Sequence, residues 1–310
     1  MEKELLYKSR SFSSCIQSAY KLMGDNLKGI IRSTWLPVLL FSLLSALFVT
    51  LNIPNPSTIS FGISNPALYF TLFGLVFIGV LVCSMWAMSR LMSMLNEQPR
   101  GWNFKRVLIT TLNFIAILIV MYAILGAAFY FAIRYTGGDP LHFINDNYLV
   151  VLVVMLLFIF ALLPLAYVIM RYLYDRKATF WRELPHTYAT GLRHIGFIFL
   201  TTLLISIIVG VVAMVTSIPL CILHIANILS LMGVAMGDPS GLPSYFLPLL
   251  FITTFLVSIL AWYLNIFETL TYLFMYGSIE SQEEGRHQNA PISSDMLPPS
   301  EEPLLPLQNL

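Results

Sequence analysis

Charge is what this sequence has least of. Only 11% of its 310 residues are charged, while 57% are hydrophobic, and the mean hydropathy is +0.78. Soluble domains carry about 25% charged residues, so this composition excludes an ordinary water-soluble domain and indicates a membrane protein. Cysteine is scarce as well. Cys15, Cys83 and Cys221 lie far apart in apolar or amphipathic stretches, which excludes a disulfide framework and a clustered metal site and leaves them as small buried hydrophobes. Alternation is missing too: the apolar residues run continuously, which rules out a membrane β-barrel. The opening "MEKELLYKSRSFSSC" lacks a short apolar core with a small-residue cleavage site, so no cleaved signal is expected.

What is present is a set of long apolar runs. About 20 such residues cross a hydrocarbon core of roughly 30 Å, and six runs qualify, near 35–53, 68–91, 107–133, 149–170, 195–217 and 245–272. Each must be helical, because a lone segment in lipid can satisfy its backbone hydrogen bonds only within itself. The stretch "IPLCILHIANILSLMGVAM", residues 218–236, is apolar enough for a seventh span. Its link to the preceding run, Ser217–Pro219, is very tight for a hairpin, so a re-entrant or interfacial helix is expected there.

Lys and Arg collect on the cytoplasmic side of membrane proteins. Residues 1–32 hold six, Arg90–Arg106 four, Arg171–Arg193 five and the C-terminal tail a single Arg286, whereas the opposite side has only Arg134. Sixteen against one places both termini in the cytoplasm. The division that follows is a cytoplasmic leader over 1–32, a six-span domain over 33–277 and a disordered cytoplasmic tail over 278–310, rich in Pro, Ser and Glu. "PNPSTISFGISNP" and "MGDPSGLPS" are turn-rich and nearly uncharged, which predicts no folded domain on the outer side.

The basic clusters form a coarse threefold repeat. In the leader, Phe12, Ile16, Ala19, Met23, Leu27 and Ile30 recur at helical spacing, with Lys21, Asp25 and Lys28 on other faces and Arg32 after them. Such a helix would lie in the interface. Before the second hairpin, "RGWNFKRVL" sets Trp102 and Phe104 beside Arg100, Lys105 and Arg106. Before the third, Arg176 and Lys177 lead into "FWRELPHTYATGLRH", with Trp181, Leu184, Tyr188 and Leu192 on one face and Arg182 and Arg193 elsewhere. The expected fold is therefore all-α: a polytopic membrane bundle of six transmembrane helices in three hairpins, each preceded by a basic amphipathic interfacial segment. Basic residues beside a membrane attract anionic headgroups at about 1 kcal/mol each; topology alone also requires them.

Catalytic constellations are not apparent. His142, His186, His194, His224 and His287 are too scattered for a metal site. "HFIND" at 142–146 has three intervening residues where a membrane acyltransferase motif wants four, and "FGISN" around Ser64 lacks the glycine after serine of a rhomboid-like protease. Asp139 and Asp175 resemble parts of an intramembrane aspartyl protease motif but are expected on opposite sides. Gly233 and Gly237 make a GxxxG spacing, read as a helix end because Gly237 opens "GDPSG".

One acid stands out. Glu268, in "AWYLNIFETLTYLFMYG", is the only charged residue between Gly241 and Ile279. Ionisable residues inside a membrane face the bundle interior and are functional candidates. Arg90 closes the second run and Arg171 the fourth, so the three could converge, with Glu268 paired to one arginine or bridging both. A packing ion pair, a substrate or headgroup contact and a proton-coupled role all stay open. Pro164, in "FALLPLAYV", is expected to kink the fourth helix and free a carbonyl.

The leader "SFSSCIQSAYKLMGDNLKGIIRSTWLPVLL" and the closing "TYLFMYGSIESQEEG", read as a tyrosine-bearing helix end and charged turn, resemble the membrane domain of glycerophosphoryl diester phosphodiesterases and of related bacterial six-span proteins. That family's catalytic barrel and its acid and histidine residues have no counterpart here, so phosphodiesterase activity does not carry over. The resemblance implies a stand-alone domain of the bacterial cytoplasmic membrane linked to lipid or envelope processes. The expected function is non-catalytic, needing no cofactor: binding or organising anionic membrane lipids or membrane-protein partners, and not nucleic acid, through the basic face. A small transporter or lipid-moving protein using Glu268, Arg90 and Arg171 is the alternative, and an intramembrane enzyme a third.

Overall fold

The computed structural model describes residues 6–53, 65–135, 147–239 and 241–288. Among these there are seven helices: α1 Phe12–Asn52, α2 Pro66–Asn96, α3 Arg100–Tyr135, α4 Tyr148–Tyr174, α5 Phe180–Arg193, α6 Ile195–Ala235 and α7 Phe246–Gln288. All but α5 are long and apolar enough to cross a membrane. The protein is an all-α, multi-pass membrane protein. "HFIND", Ser64, Asp139 and the tail from residue 289 onward lie outside the described residues.

Local signals set the helix ends. Ser11 caps α1 through Oγ, which accepts from the amide of Ser14 at 3.4 Å. Asn65 caps α2, its Oδ1 accepting from the amides of Ala67 at 3.0 Å and Leu68 at 3.5 Å, with Pro66 at the first helical position where a missing amide costs nothing. Glu97 ends α2 in the left-handed region, φ 57°. Past α6, Gly237 has φ 95° and the amide of Asp238 returns to the carbonyl of Gly233 at 2.9 Å, a glycine-terminated helix end at the GxxxG spacing.

α7 is the axis of the bundle. Trp262, Ile266, Leu270, Leu273, Phe274, Met275 and Ile279 on it are buried, and α1 packs along it more extensively than any other pair of helices, with α2 on α1 and α6 on α7 next. Several hydroxyls within the spans bond back to their own helix. Thr34, Thr201 and Thr254 each donate to the carbonyl four residues back at 2.8 Å, so they need no partner on another helix.

Three boundaries differ from the sequence reading. Residues 218–235 do not form a separate re-entrant or interfacial helix; they continue α6, with Pro219 inside it. At 1.5 Å per residue the 41 residues of α6 extend about 60 Å, twice a hydrocarbon core. The leader is no separate helix either, but the first turns of α1. Third, residues 278–288 are not tail: α7 runs through them without the turn expected after Gly277. The physical reason is burial, since Ser278 and Ile279 are fully enclosed. Ser278 Oγ accepts from the amide of Arg10 at 2.9 Å and donates to its carbonyl at 3.1 Å.

Candidate functional site

The polar groups of this molecule gather where α1, α3, α5 and α6 begin and α2, α4 and α7 end, and this end also carries the basic clusters. This is the basic end of the bundle. Its centre is a ring of tyrosines around Tyr276, with Tyr7, Tyr167 and Tyr174 at centroid distances of 6.3, 5.8 and 6.3 Å. Gly277 follows because nothing larger fits: a Cβ there would stand 2.4 Å from the carbonyl oxygen of the buried Leu6.

Two acids on the last turns of α7 organise the surroundings. Glu280 accepts from the Tyr167 hydroxyl at 2.6 Å and lies 3.5 Å from Arg171 Nη1. Arg171 also reaches Glu183 on α5, at 3.7 Å. Glu283 binds His194 Nε2 at 2.7 Å, Arg193 at 3.0 Å and Arg286 at 2.9 Å. Burial raises the Glu283 carboxyl, but the His194 hydrogen bond and the charges of Arg193 and Arg286 outweigh it and hold the group below the ordinary carboxylate range.

The expected trio does not assemble. Among the described residues Glu268 forms no ion pair with Arg90 or Arg171; its Oε1 accepts from the Tyr272 hydroxyl one turn on, at 3.1 Å. Arg90 donates to the carbonyl of Ser33 at 3.3 Å and lies over the Trp86 ring at 5.3 Å. Arg171 belongs to Glu280 and Glu183. The acid on α7 that does meet Arg171 is Glu280, twelve residues beyond Glu268, where the falling hydropathy reads as tail.

Arg106 is not open to a headgroup either. Its guanidinium donates to the carbonyls of Tyr172, Asp175, Arg176 and Ala178 and lies between the rings of Trp102 and Tyr172, 4.4 Å from each. It collects the carbonyls left free where α4 ends, a role a planar five-donor group fills and an ammonium cannot. Trp102 is thereby half-buried as one of its stacking partners.

α4 and α5 pack closely. α4 runs unbroken through Pro164. Gly191 of α5 lies against that proline, where a Cβ would come within 2.9 Å of its Cβ, and Tyr188 donates to the carbonyl of Ala161 at 2.8 Å. α5 buries Phe180, Thr187, Thr190 and Gly191 against the bundle, and on the apolar face expected at the interface Leu184 and Tyr188 are half-buried. Trp181 and Leu192 are exposed.

The remaining cations are on the surface. Lys21, Lys28 and Arg32 on α1, Arg100 and Lys105 on α3, Arg176 and Lys177 before α5, and Arg182 on it are all exposed. Arg193 is exposed as well, though paired with Glu283. Among the described residues no group of three His, Cys, Asp or Glu side chains could hold a metal ion.

This geometry defines the class, a multi-pass helical membrane protein with a tied polar plug and a cationic rim at one end. Comparison with protein families, with curated proteins and with solved structures finds no match for this chain.

Proposed function

We propose that this chain is a non-catalytic protein of a bacterial cytoplasmic membrane, both termini in the cytoplasm, that gathers anionic lipid headgroups or partner proteins at its basic end. The observation carrying this reading is a division among the cations. Arg90, Arg106 and Arg171 are engaged inside the fold, whereas Lys21, Lys28, Arg32, Arg100, Lys105, Arg176, Lys177 and Arg182, from three separate segments, are exposed. Each such charge near an anionic leaflet contributes about 1 kcal/mol. The resemblance of the leader and closing segments to the phosphodiesterase membrane domain supports the same link to lipids. A transport pathway through Glu268, Arg90 and Arg171 has less support, because each is held by different partners.

Spin-labelled lipids test the reading on the full chain in vesicles of phosphatidylglycerol and phosphatidylcholine. Phosphatidylglycerol should be preferred next to the protein at low salt, and the preference should shrink as the Debye length falls from about 30 Å at 0.01 M to about 3 Å at 1 M. Equal occupancy by both lipids at low salt would overturn it.

A further inference from the structure

Between α1, α6 and α7 lies a cleft of about 580 Å³, within the roughly 300–1,000 Å³ of small-molecule sites. Its α6 wall includes Ile208, Val212 and Thr216, and its α7 wall Leu260, Tyr263 and Phe267. Both walls belong to membrane-spanning helices, and Ile208, Val212 and Leu260 are exposed, so the cleft opens sideways to lipid. Hydrocarbon is the matching content for such a surface.

The third wall decides what kind of lipid fits. It is the opening stretch of α1, through Ile16, Gln17, Tyr20 and Met23. At 3.6 residues per turn, the side chains round this helix fall in a fixed order. Cys15 and Ala19 form the buried face; Met23, Ile16, Tyr20 and Gln17 form the cleft face; Lys28, Lys21, Arg32 and Asp25 come next, all exposed. Lys21 stands one turn from Gln17 at the edge of the cleft, and Lys28 and Arg32 continue the same side about 16 and 22 Å along the axis from Gln17. An apolar slot bordered by net positive charge complements an amphiphile with a hydrocarbon tail and an anionic head.

We propose that this cleft holds one acyl chain of an anionic phospholipid whose headgroup lies beside Gln17 and Lys21 of α1, with Lys28 two turns further on. The proposal rests on the lipid-binding reading above and gives it a defined site. Gln17 and Tyr20, exposed at the edge, supply hydrogen-bond donors at the level where the ester and phosphate would lie.

Native mass spectrometry of the full-length protein, released from nanodiscs with equal phosphatidylglycerol and phosphatidylcholine, tests it. The wild type should retain one phosphatidylglycerol per chain. Val212→Trp and Leu260→Trp each place an indole in the cleft from an exposed position. An indole there takes the volume the acyl chain would occupy, so each should abolish retention of the single phosphatidylglycerol with an unchanged melting temperature. The pair Lys21→Gln and Lys28→Gln should leave the cleft occupied but shift the retained lipid towards phosphatidylcholine. Wild-type retention in both tryptophan variants would overturn the proposal. A wild type without a retained lipid, but with phosphatidylglycerol enriched in its nanodiscs, would overturn the cleft alone; absence of that enrichment as well would remove the wider reading.

Discussion

At the basic end, Leu6, Tyr7, Tyr167, Tyr276 and Glu280 come from three widely separated stretches of the chain and enclose one another. In the far halves of α3 and α4, Ile119, Ile124, Tyr130, Val150 and Leu157 are each more than half exposed. The same apolar composition produces both regions. The difference lies in what fills the space between helices: hydrogen-bonded polar groups and close glycine contacts at one end, and side chains left to face lipid at the other. In a bilayer apolar contact between helices has no hydrophobic advantage over apolar contact with lipid, so specific polar and steric fits decide which end is fixed.

Glycine substitutions should separate the two regions most clearly. Gly277→Val sets side-chain atoms against the Leu6 carbonyl and should cost about 3 kcal/mol, read as a lowered midpoint in chemical unfolding from detergent. Gly210, in the spanning portion of α6, has nothing within 4 Å of a Cβ. Gly210→Ala should be neutral or stabilise by up to about 1 kcal/mol, the helix-propensity difference. Equal losses from both would erase the distinction between the two regions.

Arg106 comes next. Arg106→Met leaves four carbonyls at the α4–α5 turn without their shared donor, at about 2–3 kcal/mol. Arg106→Lys should recover less than half of this, since an ammonium cannot fork across them. Smaller still is Tyr167→Phe, which removes one hydroxyl from Glu280 and should cost about 1–2 kcal/mol in the same assay. The matched Tyr130→Phe on the exposed far half of α3 should change stability by less than about 0.5 kcal/mol.

The smallest effect expected is that of pH. Glu283 has its folded pKa depressed, so the stability it contributes is present above its unfolded value and is lost as pH falls through the folded one. Melting temperature should drop over the acid carboxylate range, and Glu283→Gln should flatten that drop. An equally steep acid loss in the variant would assign the effect to other groups.

The spans themselves were legible because about 20 apolar residues in a row admit one solution in lipid. Their ends were not. Hydropathy falls after Tyr276, yet α7 continues because Ser278 meets Arg10, Glu280 meets Tyr167 and Glu283 meets His194, and no local pattern announces partners so distant in sequence. The three-residue spacing of Glu280 and Glu283, which sets both on one helical face, was the one available signal. Glu268 drew notice by its apolar neighbours, but isolation in sequence says nothing of which helix a side chain faces. The contact of α5 with α4 turned on Gly191, whose missing side chain admits Pro164, a fit that no pattern of large residues announces.

On this account two sets of cations do separate work, one tying the basic end together and the other facing lipid. The direct measurement takes two multiple variants, each scored for phosphatidylglycerol enrichment in nanodiscs cut from mixed vesicles and for melting temperature. Lys21, Lys28, Arg32, Arg100 and Lys105 changed together to Gln should remove most of the enrichment and leave the melting temperature unchanged. Arg106 and Arg171 changed together to Gln should lower the melting temperature and keep the enrichment in whatever protein stays folded. If the first variant retains the enrichment, or both variants lose stability and enrichment together, the division between the two sets is contradicted.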